Sequence, residues 1–245
     1  MAKTAPAAKP GTNVVSLKER MKQEVATLSS RTAPPSGDNI SITQDKHFKL
    51  PNGSKHPGPL SVIIVDFMSK NEFYEGAYDP NNMTSPACFA IGQTPTTMAP
   101  SPNAPVPQSK TCTGCPMNEF GSAGKGKACK NMRVLAVLPP DADADEPLAI
   151  IKVSPTALKS FDGYVNSVAQ KFGVPPLGVV TELSFDPNQT YATLRFGNPT
   201  PCSEDQLTVA FARKDEARKR LEVEPDVSRY VAPVAKGKKV ANGRR

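Results

Sequence analysis

The period of the hydrophobic pattern changes along the chain and marks out its elements. From Ile40, ISITQ alternates apolar and polar residues. HFKLP does so again and stops at a Pro-Asn-Gly turn, so both segments predict short, half-buried strands. LSVIIVDFM, residues 60–68, is apolar on both faces in its middle and predicts a central strand. ACFAI (87–91), MRVLAVL (132–138), LAIIKV (148–153), GVVTELSFD (178–186) and TYATLRFG (190–197) extend a set of about seven short strands. NEFYEGAYD, after the central strand, reads as a strand end or loop.

Three segments carry a helical period instead. Ser16 and Glu19 form a capping box, and Leu17, Met21, Val25 and Leu28 then share one face. Ser154 as N-cap and Pro155 in the first helical position open a second helix, with Leu158, Phe161, Val165, Val168 and Phe172 on one face and Gly173 ending it. A third helix runs from Ser203 as N-cap to about Leu221, its second half highly charged.

Residues 1–38 read as a basic, mostly disordered arm around the first helix. Residues 39–200 form the core, residues 201–224 the last helix, and residues 225–245 a basic disordered tail. The fold class is β-rich α+β, with an OB-like small barrel favoured slightly over a generic sandwich, because one helix sits before the last hairpin.

Composition agrees. The chain has 26 prolines in 245 residues, about twice the ordinary frequency. Proline breaks helices and removes ladder donors, which excludes a long bundle, a coiled coil and a large parallel sheet. The longest apolar run, Leu60–Met68, is far short of the ~20 residues a membrane span needs. The first residues, MAKTAPAAKPGTN, carry no apolar signal region, so the expected compartment is cytoplasmic and the cysteines are expected to be reduced.

The formal net charge is +7 and is unevenly placed. Residues 1–31 carry +4, residues 110–133 carry +4 and residues 213–245 carry +6, while the two intervening stretches are acidic. A basic tail at each end and a basic central loop suggest a polyanion, and nucleic acid is the commonest one.

That central loop overlaps four of the five cysteines. Cys88, Cys112, Cys115 and Cys129 lie within 42 positions: Cys88 comes from the strand before an excursion of about forty residues, and the other three lie inside that excursion, which lacks the apolar side chains for a core of its own. Cys112-Thr-Gly-Cys115 has the form of a metal knuckle, with Gly114 free to take the positive φ such a turn requires. Four thiolates complete a tetrahedral Zn²⁺ and would order the insertion, taken as residues 88–131. An iron–sulfur cluster, a redox dithiol at Cys112 and Cys115, and unliganded cysteines are alternatives on the same residues. His47 or His56 could replace one cysteine as ligand. Cys202, just before a helix, reads as a spare thiol.

GSAGKGK is glycine-rich and basic but fails the Walker A spacing, because Ala128 follows Lys127. DADADE (141–146) reads as a solvated polar turn, and no nucleophile stands with a base. The chain is therefore expected not to be an enzyme. Lysines neutralise phosphates and rings stack bases. The residues chosen on that ground for nucleic-acid contact are Lys70, Tyr74, Tyr78, Lys110, Phe120, Lys125, Lys127, Lys130 and Arg133, whereas Phe73 reads as core.

The run from Cys88 to Cys129, followed by MRVLAVL and then by LAIIKVSPTALKSF, where strand leads directly into helix, resembles the phage-type single-stranded DNA-binding (helix-destabilising) proteins with a zinc-bearing OB-fold. The resemblance is one of layout over roughly residues 60–200. It implies an OB-fold, cooperative binding of single-stranded DNA, and a role in replication or recombination alongside other replication proteins. That family uses one His with three Cys, where this chain offers four Cys. It ends in an acidic tail, where this chain ends GKKVANGRR and so adds affinity for DNA. The readings to be separated are a sequence-nonspecific single-strand binder, an iron–sulfur or thiol redox protein, and a structural nucleoprotein that prefers duplex.

Overall fold

A computed structural model describes residues 20–21, 38–76 and 84–231. The first expected helix lies outside these residues except for Arg20 and Met21, which are helical. The described chain is a strand-rich α+β fold. Its strands are β1 (Asn39–Ile42), β2 (Phe48–Lys49), β3 (Lys55–His56), β4 (Leu60–Phe73), β5 (Cys88–Gly92), β6 (Cys129–Leu138), β7 (Ala149–Val153), β8 (Val179–Phe185) and β9 (Leu194–Pro201). They form one sheet in the order β3-β2-β1-β7-β6-β4-β8-β9, with β5 added beside β4.

β4 organises the sheet because it is long enough to serve three partners. One edge pairs with β6 from Ile63 to Phe73. Its other edge pairs first with β8, over Leu60–Ile63, and then with β5, over Ser69–Phe73. The central run was expected to end at residue 68. It continues because Asn71 and Phe73 find ladder partners on both sides, in β5 and in β6. β6 likewise starts at Cys129, three residues before the apolar run that announces it.

The sheet curls into a half-barrel. Phe48 of β2 stacks on Phe185 of β8 with ring centroids 4.6 Å apart. Lys46 Nζ donates to the Gln189 carbonyl at 2.7 Å across the same gap. The concave face buries Val62, Ile64, Leu135, Val137, Ile151, Val153, Leu183 and Leu194. Across its opening lies α1 (Leu158–Phe172), whose Phe161 is fully buried against Phe67 and Phe196. The convex face buries Ile63, Val65, Met68, Val134, Ala136 and Leu138 under α2 (Glu204–Ala212) and α3 (Lys214–Leu221).

A bulge sets which residues reach which face. Val65 and Asp66 together oppose Ala136, so the alternation of β4 shifts by one and Phe67 returns to the concave side. The phase carries on through Ser69, Asn71 and Phe73, and that is the face on which the cysteines meet.

The helix expectations hold with three differences. The segment from Ser154 begins as a single 3₁₀ turn over Pro155–Ala157, and the Ser154 hydroxyl meets Thr156 instead of capping the helix backbone. Tyr164 also joins the buried face of α1, because its hydroxyl shares a 2.8 Å hydrogen bond with Thr181 on β8. The expected single last helix is two, broken at Arg213, with the Ser203–Gln206 capping box opening the first. β9 begins at Leu194, four residues later than the pattern suggested, because Thr190–Thr193 close the turn that starts at Asp186. No helix among the described residues is long and apolar enough to cross a membrane.

Candidate metal centre and nucleic-acid interface

Strand register brings together the two cysteines that are farthest apart in sequence. Cys88 opens β5, Cys129 opens β6, and both pair with Phe73 of β4, one on each side. They therefore stand in one row on the same face, two strand spacings apart, about 10 Å between backbones. Cys112 and Cys115 descend on this row from the excursion. The Cys112 N–H donates to the Met98 carbonyl at 2.9 Å, and its side chain packs with Ala90 and Met98. Asn118 ties the knuckle from below: its N–H donates to the Cys115 carbonyl and its side chain to the Cys112 carbonyl, both at 2.8 Å. Gly114 has φ +74°, the left-handed conformation the knuckle needs.

All four thiols line one small cavity of about 20 Å³, along with Asn71, Phe73 and Asn118. That is room for a single water-sized occupant. None of the four is in a disulfide. Burial pushes the Cys88 and Cys112 thiols up, and the Asn71 amide partly offsets this at Cys112. Cys129 is pushed up to about 12, first by burial and then by the other three sulfurs. These three thiols are thus protonated near neutral pH, and a metal would have to displace their protons. As the side chains stand, no group of three or more His, Cys, Asp or Glu among the described residues is arranged to hold a metal ion. The donor set and shared cavity fit a thiolate-bound ion in composition; binding would require the sulfurs to draw inward as they ionise. His47 bonds the Asp45 carbonyl and His56 accepts from the Gly58 N–H, and neither lines the cavity.

Around this centre the excursion presents its charge outward. Lys110, Lys125 and Lys127 are exposed, and the Lys127 ammonium donates to the Asn118 amide oxygen at 3.3 Å. Phe120 is 80% exposed at the tip of a tight loop closed by the Gly121 and Ala123 N–H groups on the Gly126 carbonyl. Lys130 is exposed at the start of β6.

The other chosen residues are placed differently. Lys70 is buried with its ammonium 3.3 Å from Glu72; burial pushes it below the usual lysine range and Glu72 partly restores it. The Tyr74 hydroxyl donates to the second Glu72 oxygen at 2.9 Å, and burial raises that phenol. The Arg133 guanidinium is largely buried against Asp162 of α1 at 3.2 Å. Lys70 and Arg133 therefore have their charges matched inside the fold. Tyr78 lies outside the described residues.

Sequence reasoning missed Asn71, whose amide meets the Cys112 thiol and accepts from Asn131 at 2.8 Å. Its only signal was a polar residue between Phe67 and Phe73 in the same phase of the strand. It also missed Lys152 and Tyr191, which border an open groove on the convex face together with Lys130. The lone lysine in LAIIKV was the available sign for Lys152. Comparison with family models, with curated proteins and with solved structures finds no match to this chain.

Proposed function

We propose that this chain is a sequence-nonspecific single-stranded DNA-binding protein of viral replication or recombination, a binder and not an enzyme. In this reading the half-barrel is an OB-like barrel. Cys88, Cys112, Cys115 and Cys129 would hold a structural Zn²⁺ whose task is to order the excursion. The observation that carries the reading is the meeting of four thiols at one cavity beneath a loop whose outward side chains are lysines and Phe120. The curled sheet supports it as a rigid base for that loop. Lys110, Lys125, Lys127 and Lys130 would neutralise backbone phosphates, and Phe120 would stack a base, worth roughly 1–3 kcal/mol.

Native mass spectrometry combined with oligo-dT titration at two salt concentrations tests this. The expected result is one zinc per chain, no visible absorption band, and binding that weakens steeply as salt rises. A visible band would replace zinc by an iron–sulfur cluster. Absence of binding at low salt, or equal binding at both concentrations, overturns the nucleic-acid reading.

A further inference from the structure

The convex face of the sheet is covered by α2 and α3 over only part of its area. Beyond them an open groove of about 1040 Å³ runs across β6, β7 and β1. Its floor includes the half-buried Met132 and Ile150, and Lys130 and Lys152 rise from it. Among the described residues no Asp or Glu lines it, and neither lysine has an ion-pair partner. At its far end stands Tyr191, 52% exposed.

Tyr191 also borders a second hollow of about 410 Å³ at the start of α1, shared with Thr156, Ser160 and Arg195, the last ion-paired at 3.2 Å with Asp186, which lines it too. The Thr193 hydroxyl in that hollow is buried without a hydrogen-bond partner among the described residues. The two hollows thus meet around one exposed ring.

We propose that this continuous groove, from Lys130 past Lys152 and around Tyr191, is the track along which a single nucleic-acid strand lies. The inference rests on the single-strand reading above and carries its path from Lys130, at the end of the cysteine insertion, onto β7 and the turn before β9. Two ammonium groups outside any ion pair among the described residues suit phosphates, since Glu72, opposite Lys130 on β4, is already engaged by Lys70 and the Tyr74 hydroxyl. An apolar floor and a free ring suit the faces of unpaired bases, which a duplex hides in its stack.

The test is fluorescence polarisation of the full-length chain with labelled oligo-dT across a salt series, for wild type, Tyr191→Ala, Tyr191→Phe and Lys152→Ala. Thermal melting checks that each variant is folded. Tyr191→Ala is expected to weaken binding about tenfold, and Tyr191→Phe to retain most of it because the ring remains. Lys152→Ala should weaken binding and lower the salt slope by about 1. In parallel, photocross-linking with iododeoxyuridine oligonucleotides should label the peptide that carries Tyr191. Wild-type binding that survives both alanine substitutions unchanged, with cross-links confined to the cysteine loop, overturns the groove but spares the reading it rests on. A wild type that does not bind, or that prefers duplex, overturns both.

Discussion

Glu224 shows what a single residue does here that its neighbours in sequence do not announce. Its carboxylate accepts from the Ser101 hydroxyl at 2.6 Å and from the Asn103 amide at 2.8 Å, fastening the segment after α3 to the cysteine excursion. Six residues on, the Tyr230 hydroxyl donates to Glu75 at 2.7 Å. The two hydrogen bonds hold the Glu224 carboxyl below its ordinary value of 4.5. A group whose folded value is depressed stabilises fully above the unfolded value and loses that contribution as pH falls through the folded one. Hydrogen exchange over residues 222–231, corrected for intrinsic rates, should therefore show protection near pH 6 that is lost below pH 4.5. In Glu224→Gln the segment should be loose at both pH values. Equal protection of the wild type at both would refute the role given to this carboxylate. Neither partner was legible in sequence, because Glu224 and Ser101 are separated by 123 positions.

At the scale of elements, the sequence located most of what the chain builds, because burial follows period. The face marked on α1 by Phe161 and Val168 is the buried one, and Gly173 ends the helix with φ +69°. Phe161 fills the space between Phe67 and Phe196 with edge-on contacts at 5.0 and 5.1 Å. Phe161→Ala should cost about 3–5 kcal/mol, read from the shift of a denaturant midpoint. A loss under 1 kcal/mol would mean that α1 does not close the concave core. The split of the last helix was not legible, since its cause is a tertiary contact. The Arg213 guanidinium donates to the Ala144 and Glu146 carbonyls, both at 2.8 Å, so the acidic turn expected to be merely solvated is a docking point. The start of β9 was misjudged for a similar reason: TYAT has strand-forming residues, but the turn from Asp186 uses them, with the Asp186 N–H bonded to the Thr193 carbonyl.

For the molecule as a whole, the two faces of one sheet form separate cores, and the cysteine excursion belongs to neither. Cys112 packs into a small third cluster with Ala90 and Met98. Cys112→Ser should therefore raise amide exchange across residues 93–128 while β4, β6 and β7 keep their protection. The same variant should weaken oligo-dT binding if the excursion presents its lysines as proposed. Cys202→Ser serves as the comparison, because that thiol bonds the Leu177 carbonyl well away from the cavity. A uniform loss of protection in Cys112→Ser would show the excursion to be an integral part of the core.

Period, composition and cysteine spacing by themselves determined that this is a strand-rich chain with a helix between strands, a capped helix near the end and a basic cysteine insertion. These are local properties: side-chain alternation, capping and turn chemistry act over a few residues and can be read from a few residues. What only the folded structure decided was long-range. Register on Phe73 made partners of Cys88 and Cys129. The bulge at Val65 chose the face they share. Packing placed Lys70 and Arg133 against carboxylates while leaving Lys152 and Tyr191 on an open groove. Net charge counts ionised groups along a chain, but which of them face solvent depends on how distant strands align and on what their side chains meet when the sheet curls.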